Sequence, residues 1–357
     1  MPQLGSIRNV GSGYRTPSMT VRRVCVVCAA VAIYAGVLLM LPSERAASPT
    51  STDSQRSDVA MYEAIVSDLQ SGQSYYDADG NELRTRGYPT TPIFNWREPL
   101  LYETLARLTP RGGQILLGLL SVGLALVTFR RPFPAWTMLL VWHDLVPLIV
   151  LNMVYMTEFW AGIILGWATV AFIRQWRYVG IALSVLALAV RELAAPYCVA
   201  MTLWALWRRD WRMVRGWMLG GLAYAVYYGW HAWQATQHLL PSDAALVHPH
   251  SWISGGGVPF LLRAIRSTGL LFLLPPPIFG VFIVLAAAAW WGPMPTEIRI
   301  GVVSYTIFLL IAGQPFDAYW GLMMGPMLAM WMAYAPSGIT TLLAVRSRTA
   351  RARVLQH

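Results

Sequence analysis

Two charged side chains in one polar stretch have types and positions that suit chemistry. Asp58 begins an apolar four-residue repeat, and a helix N-terminus favours a carboxylate. Arg97 lies beside Glu98, among prolines and aromatic rings and just before an apolar run. A guanidinium donates several hydrogen bonds in one plane and therefore suits a lipid phosphate. Simpler interpretations stay open. Asp58 could serve merely as a helix cap, and Arg97 and Glu98 could merely form an interfacial salt bridge.

Other ionisable groups stand at the edges of apolar runs. Arg191 and Glu192 interrupt one run, which allows either an ion pair at a chain reversal or a contact with a substrate. Glu158 begins another run, and Asp317 follows a third. Both acids are open between a charge that stabilises a helix start and a member of a site.

Histidines provide weaker signals. His143 and Asp144 lie inside an apolar run, where an ionisable pair indicates either function or a buried hydrogen bond. His248 and His250 have metal-ligand side chains, but their spacing matches no known ligand set. The sequence therefore predicts no metal site and no cofactor, and a divalent cation stays an unindicated alternative.

The composition describes the elements that must position these groups. Of 357 residues, 56% are apolar and 12% are charged, whereas soluble domains carry about 25% charged residues. Apolar runs of 13 to 22 residues recur along the chain, and a membrane-spanning helix needs roughly 20 apolar residues. We therefore expect an all-α integral membrane protein of about ten transmembrane helices.

Charge gives these helices a direction. With ten crossings, the cytoplasmic segments hold 17 arginines and 2 acids, and the outer segments hold 10 arginines and 14 acids. The net charge of +10 is thus an orientation signal, and nucleic acid is excluded as a partner. We expect a multi-pass protein of the cell membrane with both termini in the cytoplasm. Its parts are a tail (1–22), a transmembrane domain (23–342) with outer loops at 42–113 and 234–274, and a basic tail (343–357).

Local patterns predict elements within the outer loops. The stretch from Ser57 to Gly72 repeats apolar residues at four-residue spacing and predicts a short amphipathic helix. A second amphipathic helix is expected over 258–272, and Pro275 to Pro277 should begin a helix. A reversal of the chain is expected from Arg191 to Pro196.

The first outer loop resembles that of the GT-C superfamily of polyprenyl-phosphate-sugar-dependent glycosyltransferases, especially its aminoarabinose-transferase-like and protein-mannosyltransferase-like branches. That family opens the loop with D-E-x-x-Y-x-x-x-A-x-x-x-L-x-x-G and enters the second span through K-P-P-L-Y. The stretch from Asp58 through Tyr62 to Gly72 and the segment 97–102 (REPLLY) stand in those places and in that order. Val59 replaces the second acid of the motif.

Two further segments are similar to family features, namely the start of a helix at 157–162 and the turn at 191–196. Glu98 departs from the family by standing where its second motif has a proline. The resemblance is to the GT-C-like arrangement of helices as well as to these motifs.

The resemblance implies a membrane glycosyltransferase. It would move a sugar from a polyprenyl-phosphate donor to a lipid, glycan or protein acceptor outside the cytoplasm, by a single displacement with inversion. Asp58 would be the general base for the acceptor hydroxyl, and Arg97 and Arg191 would hold the departing phosphate. Further substrate-binding candidates are Tyr62, Trp96, Tyr102, Glu158, Asp317 and Trp320. The alternative is a non-catalytic membrane protein or a transporter or flippase component of envelope polysaccharide assembly.

Overall fold

The computed structural model describes residues 19–41, 58–143, 153–245, 253 and 255–344, and this part of the chain is helical with no β-strand. Its α-helices are α1 Met19–Met40, α2 Asp58–Gln70, α3 Tyr75–Arg86, α4 Leu100–Thr128, α5 Thr137–Trp142, α6 Thr157–Ile173, α7 Arg177–Val190, α8 Ala195–Trp207, α9 Trp211–Gln237, α10 Gly257–Arg266, α11 Pro276–Ala289, α12 Thr296–Ile311, α13 Gly325–Met332 and α14 Ala335–Leu343. Single turns of 3₁₀-helix connect several of them.

The expectation of about ten transmembrane helices is wrong. Among the described residues, two helical segments are long and apolar enough to cross a bilayer, Arg23–Met40 within α1 and Ile93–Thr128 around α4. The second of these is itself kinked, because Thr109 has φ 63° and Pro110 cannot continue the helical hydrogen bonding.

Length explains why most of the apolar runs fail as spans. Helix α6 has 17 residues, and α7 and α11 have 14 each. At 1.5 Å per residue these helices are about 21–26 Å long, short of a hydrocarbon core of about 30 Å. Helix α9 has 27 residues, but arginines, glycines and aromatic hydroxyls lower its mean hydropathy. The run at 320–335 is divided between a 3₁₀ segment and the eight-residue α13.

Some predicted parts fall outside the described residues. These are the N-terminal tail up to residue 18, the C-terminal tail from residue 345, and the side chains of Asp144, His248 and His250. His143 is described and lies at the C-terminal end of α5.

The helix expected from Ser57 to Gly72 is present as α2. Its buried face is formed by Met61, Tyr62, Ile65 and Val66, which recur on one side of the helix. This face packs against α3 and α4. Asp58 occupies the first turn of α2, where the unpaired backbone N–H groups favour its negative charge.

Helix α3 follows directly and was not anticipated. Ser74 caps its N-terminus by accepting a hydrogen bond from the backbone of Asp77, and Gly87 ends it with φ 72°. Most of its residues are polar, so it lacks the apolar periodicity that reveals α2. It places the aromatic pair Tyr75 and Tyr76 in the core beside α2.

Two predicted chain interruptions are confirmed. Arg191 is extended (φ −158°, ψ 118°) and separates α7 from α8, so no continuous helix runs through the ionic residues. Pro276 begins α11, where a missing backbone donor costs nothing.

Helix α6 is the buried centre of the fold. Its residues from Thr157 to Leu165 are all buried, and it packs against α7 and against the 3₁₀ segment Pro315–Met324. A Cβ atom at Gly162 would lie 2.4 Å from the carbonyl oxygen of Leu322, so only glycine permits this approach. The close packing brings the start of α6, which carries Glu158, next to the segment that carries Asp317.

Candidate functional site

Asp58 is held at the start of α2 by a tyrosine. The Tyr88 hydroxyl donates a hydrogen bond of 2.7 Å to Asp58 Oδ1, and both side chains are partly exposed. Burial and the neighbouring Asp58 charge raise the pKa of Tyr88, which keeps the hydroxyl protonated as the donor. The carboxylate of Asp58 is therefore oriented by this hydrogen bond.

Arg97 is joined to α2 through Tyr62. Arg97 Nε donates a 2.8 Å hydrogen bond to the Tyr62 hydroxyl, and the guanidinium carbon lies 5.9 Å from the centre of that ring. Because Asp58 and Tyr62 are four residues apart on one helix, they share a face of α2. Asp58 and Arg97 consequently stand on the same side of this helix.

Arg191 lies in a buried ion cluster. Its Nε is 2.8 Å from Glu158 Oε1, and its Nη1 donates to Glu192 Oε1 at 2.6 Å. Only 3% of the Arg191 side chain and none of Glu158 is exposed. One guanidinium thus pairs with two carboxylates, and this cluster connects the start of α6 with the break between α7 and α8.

Asp317, which lies far along the chain from Asp58, adds a further carboxylate to this group of charges. Its carboxylate accepts a 2.8 Å hydrogen bond from the backbone N–H of Gln314, which fixes the start of the 3₁₀ segment. Burial raises the pKa of Asp317 to about 6, while the Gln314 hydrogen bond, Arg97 and Arg191 act in the opposite direction. The negative charge of Asp58 also raises the pKa of Asp317. Asp317, Asp58, Arg97 and Arg191 therefore interact electrostatically.

Three of the predicted aromatic residues serve packing. The Trp96 indole is buried and donates to the Thr90 carbonyl at 2.9 Å. Tyr102 is fully buried, with its ring 5.3 Å from that of Tyr62. Trp320 is 5% exposed and is stacked on Phe308 at 5.8 Å. These positions leave no open ring face for a sugar at Trp96 or Trp320.

Glu98 does not pair with Arg97. It is buried, and its Oε1 accepts a 2.8 Å hydrogen bond from the hydroxyl of Tyr224 on α9. In the described part of the chain, Arg97 forms no ion pair with a carboxylate. The guanidinium of Arg97 is half-buried, so it is the better placed of the two predicted arginines to bind an added anion.

An apolar groove begins beside these charges. It has a volume of about 460 Å³ and lies between α4, α6 and α7. Leu100 lines it three residues after Arg97, Trp160 lines it two residues after Glu158, and Val190 lines it immediately before Arg191. The remaining wall is apolar except for Thr104.

No cluster of metal ligands accompanies the site. Among the residues described by the structure, no three histidine, cysteine or acidic side chains converge closely enough to hold an ion. Each acid of the site has a different partner: Asp58 accepts a hydrogen bond from Tyr88, Glu158 forms an ion pair with Arg191, and Asp317 accepts a hydrogen bond from the backbone N–H of Gln314.

Two site tyrosines were missed by the sequence reasoning. Tyr88 lies in the same polar stretch as Asp58 and donates a hydrogen bond to it. Nothing in the spacing of the two residues in the sequence indicates this contact. Tyr319 stands two residues after Asp317, and its pKa is raised by burial and by the charge of Asp58. The position of Tyr319 near Asp58 depends on the packing of α6 against the 3₁₀ segment, which no local pattern reveals.

Comparisons with known proteins leave the family open. No family model matches the chain, and no curated protein or solved structure matches it significantly. The resemblance to GT-C glycosyltransferases therefore rests on the residues of this sequence alone.

Proposed function

We propose that the protein is a membrane glycosyltransferase that moves a sugar from a polyprenyl-phosphate donor to an acceptor hydroxyl. Asp58 acts as the general base, and Arg97 binds the phosphate that leaves. The observation that carries the proposal is the link Asp58–α2–Tyr62–Arg97, which holds a partly exposed carboxylate and a guanidinium without a direct ion pair among the described residues on one side of a helix.

The proposed transfer uses one base, Asp58, and one anion-binding cation, Arg97. The acceptor oxygen attacks the anomeric carbon as its proton passes to the Asp58 carboxylate, and the bond from that carbon to the phosphate oxygen breaks. The leaving phosphate gains negative charge, which the Arg97 guanidinium stabilises. A single displacement places the base and the phosphate on opposite sides of the sugar and inverts the anomeric carbon.

Arg191 has a positioning role in this proposal. Its charge is matched by Glu158 and Glu192, so binding of a phosphate there would compete with two carboxylates. The cluster instead fixes the break at Arg191 against the start of α6. It thereby determines where the wall of the groove begins and how Arg97 faces it.

The apolar groove between α4, α6 and α7 supports a lipid-linked donor. It starts next to Arg97 and Arg191 and is lined almost wholly by aliphatic and indole side chains. A phosphate at Arg97 would leave the attached prenyl chain beside the groove entrance. A soluble nucleotide sugar would have no use for such a wall.

Exposed apolar surface supports a membrane location. On α1, Val24, Val27 and Val31 are 54–60% exposed, and on α9, Leu222 and Val226 are 63% and 67% exposed. Continuous apolar faces of this kind mark contact with lipid or with another protein. We propose that they contact the acyl chains of a cell membrane, with the site at its outer surface.

The decisive experiment measures transfer by the purified full chain in lipid vesicles. The donors are a panel of synthetic polyprenyl-phosphate hexoses and pentoses with radiolabelled sugars, and the acceptors are a lipid extract and water. We expect release of polyprenyl phosphate from at least one donor. Asp58→Asn should lower turnover at least about 100-fold, since general-base catalysis contributes about 10²–10⁴-fold.

A matched control separates catalysis from folding. Glu63→Gln makes the same carboxyl-to-amide change at an exposed position of α2 and should keep wild-type turnover. Full activity of Asp58→Asn would refute the mechanism. Movement of an intact labelled donor across the vesicle membrane, with no cleavage, would instead identify a flippase.

A further inference from the structure

A second groove lies between α7 and α9, away from the proposed catalytic site. Its volume is about 670 Å³. Ile181 and Val185 of α7 and Leu219 of α9 supply apolar walls, and Gly220 lets the helices approach, since a Cβ there would lie 2.7 Å from Val185. The groove is open to the surface.

Two arginines stand at one end of this groove. Arg212 and Arg215 are three residues apart on α9, one or two turns before Leu219 on the same face. Both are exposed. Arg212 has no ion pair or hydrogen bond in the described part of the chain, and Arg215 bonds only the carbonyl of Trp211. Positive charge is therefore available at this end of the groove, which we call its mouth, and the apolar walls continue from there.

The surroundings of the mouth are basic and aromatic. Arg174 and Arg177 at the turn between α6 and α7 and Arg208 and Arg209 at the turn between α8 and α9 add four positive charges at this end. Two acids accompany them: Asp210 pairs with Arg177 at 2.6 Å, and Glu297 lines the same cavity as Arg177 and Arg208. Exposed indoles surround them at Trp176, Trp207 and Trp211. Arginines mixed with tryptophans are typical of the layer where a protein meets lipid headgroups.

We infer that this groove binds an anionic phospholipid, with the phosphate on Arg212 and Arg215 and one acyl chain along Ile181, Val185 and Leu219. A free anion would not use the apolar wall, and a neutral lipid would not use the arginines. The inference shares the membrane location with the proposed function, but it does not depend on sugar transfer.

The test uses the full chain in mild detergent with equal amounts of phosphatidylglycerol and phosphatidylcholine of the same acyl chains. Native mass spectrometry should show phosphatidylglycerol retained in preference. Arg212→Gln with Arg215→Gln should lower its retention about 25-fold, because each arginine near an anionic headgroup contributes about fivefold. Arg208→Gln with Arg209→Gln, which removes equal charge outside the groove, should retain the lipid.

A second variant tests the apolar part. Ala182→Phe fills the groove from an exposed position of α7 and leaves every charge in place, so it should also reduce retention. Unchanged retention in either groove variant would overturn the inference. Displacement of the lipid by inorganic phosphate, or formation of a dimer that excludes the lipid, would also overturn the inference. Asp58→Asn should retain the lipid fully, so failure of sugar transfer and failure of lipid binding are distinguishable.

Discussion

At the scale of single residues, the partners of Arg97 and Glu98 differ from those that their adjacency in the sequence suggests. Arg97 turns to Tyr62, 35 positions earlier, and Glu98 turns to Tyr224, 126 positions later. Adjacent side chains of an irregular segment point in different directions, so their charges need not meet. The residue types could be read from the sequence, whereas the pairing depends on where α2 and α9 pack.

Asp79 offers a pH-dependent prediction at this scale. It is fully buried on α3, its Oδ2 accepts a weak 3.3 Å hydrogen bond from Tyr75, and burial raises its pKa to about 7. Between pH 4 and 7 the folded protein thus binds more protons at Asp79 than the unfolded chain does. Stability should fall as pH rises through this window and level off above it.

The variant Asp79→Asn should remove most of this dependence, because the amide can still accept from Tyr75 and never ionises. At pH 8 its free energy of unfolding should exceed that of the wild type by about 4 kcal/mol, which will appear as a higher unfolding temperature. Glu63→Gln on the exposed face of α2 is the control and should leave the pH profile unchanged. A wild-type protein that is equally stable at pH 5 and pH 8 would contradict the prediction.

At the scale of elements, helix periodicity and chain breakers were sufficient for some parts. The spacing of Met61, Ile65 and Leu69 identified α2, and Pro275 to Pro277 identified the start of α11. Hydropathy was misleading for the spans, because an apolar run says nothing of where tertiary contacts interrupt the helix. The run at 320–335 is one such case, because it is divided between the 3₁₀ segment that packs on α6 and the short helix α13.

An ion pair also fixes α3 to the segment after α9. Arg84 donates to both carboxylate oxygens of Asp243, at 2.9 and 2.8 Å, and to the carbonyl of His238 at 2.7 Å. Only 3% of the Asp243 side chain is exposed. We expect Asp243→Asn to lower the free energy of unfolding by about 2 kcal/mol, measured by thermal unfolding in detergent.

The pH dependence of this pair has the opposite sign to that of Asp79. The hydrogen bonds from Arg84 lower the pKa of Asp243, so its contribution is present above pH 4 and is lost as pH falls through the lowered pKa. Glu103→Gln, which breaks the exposed Arg107–Glu103 pair of α4, should change stability little. Equal effects of the two substitutions would show that Asp243 is not a structural link.

At the scale of the whole molecule, α6 and α7 separate two polar ends. Glu158 at the start of α6 is paired with Arg191 just after α7, so the two helices are antiparallel with the proposed catalytic site at this end. Trp176 lies at the turn between them, beside the basic end that carries the lipid groove. Helix α4, which belongs to one of the two segments long enough to cross a bilayer, begins three residues after Arg97 and packs along α6, where the Trp167 indole donates a 2.9 Å hydrogen bond to the Leu120 carbonyl.

This geometry predicts that the two ends face opposite sides of the membrane. With Cys25 and Cys28 replaced by serine, a cysteine at Gln73, two residues before the Tyr75 that bonds the Arg97 carbonyl, should react with an impermeant thiol reagent added outside intact cells. A cysteine at Trp176 should react only in inverted vesicles. Detergent should expose both positions equally, which controls for intrinsic reactivity. Labelling of both positions from one side would place the charged site and the arginine-rich end in the same compartment. The sugar donor and the anionic lipid could then not be assigned to opposite leaflets.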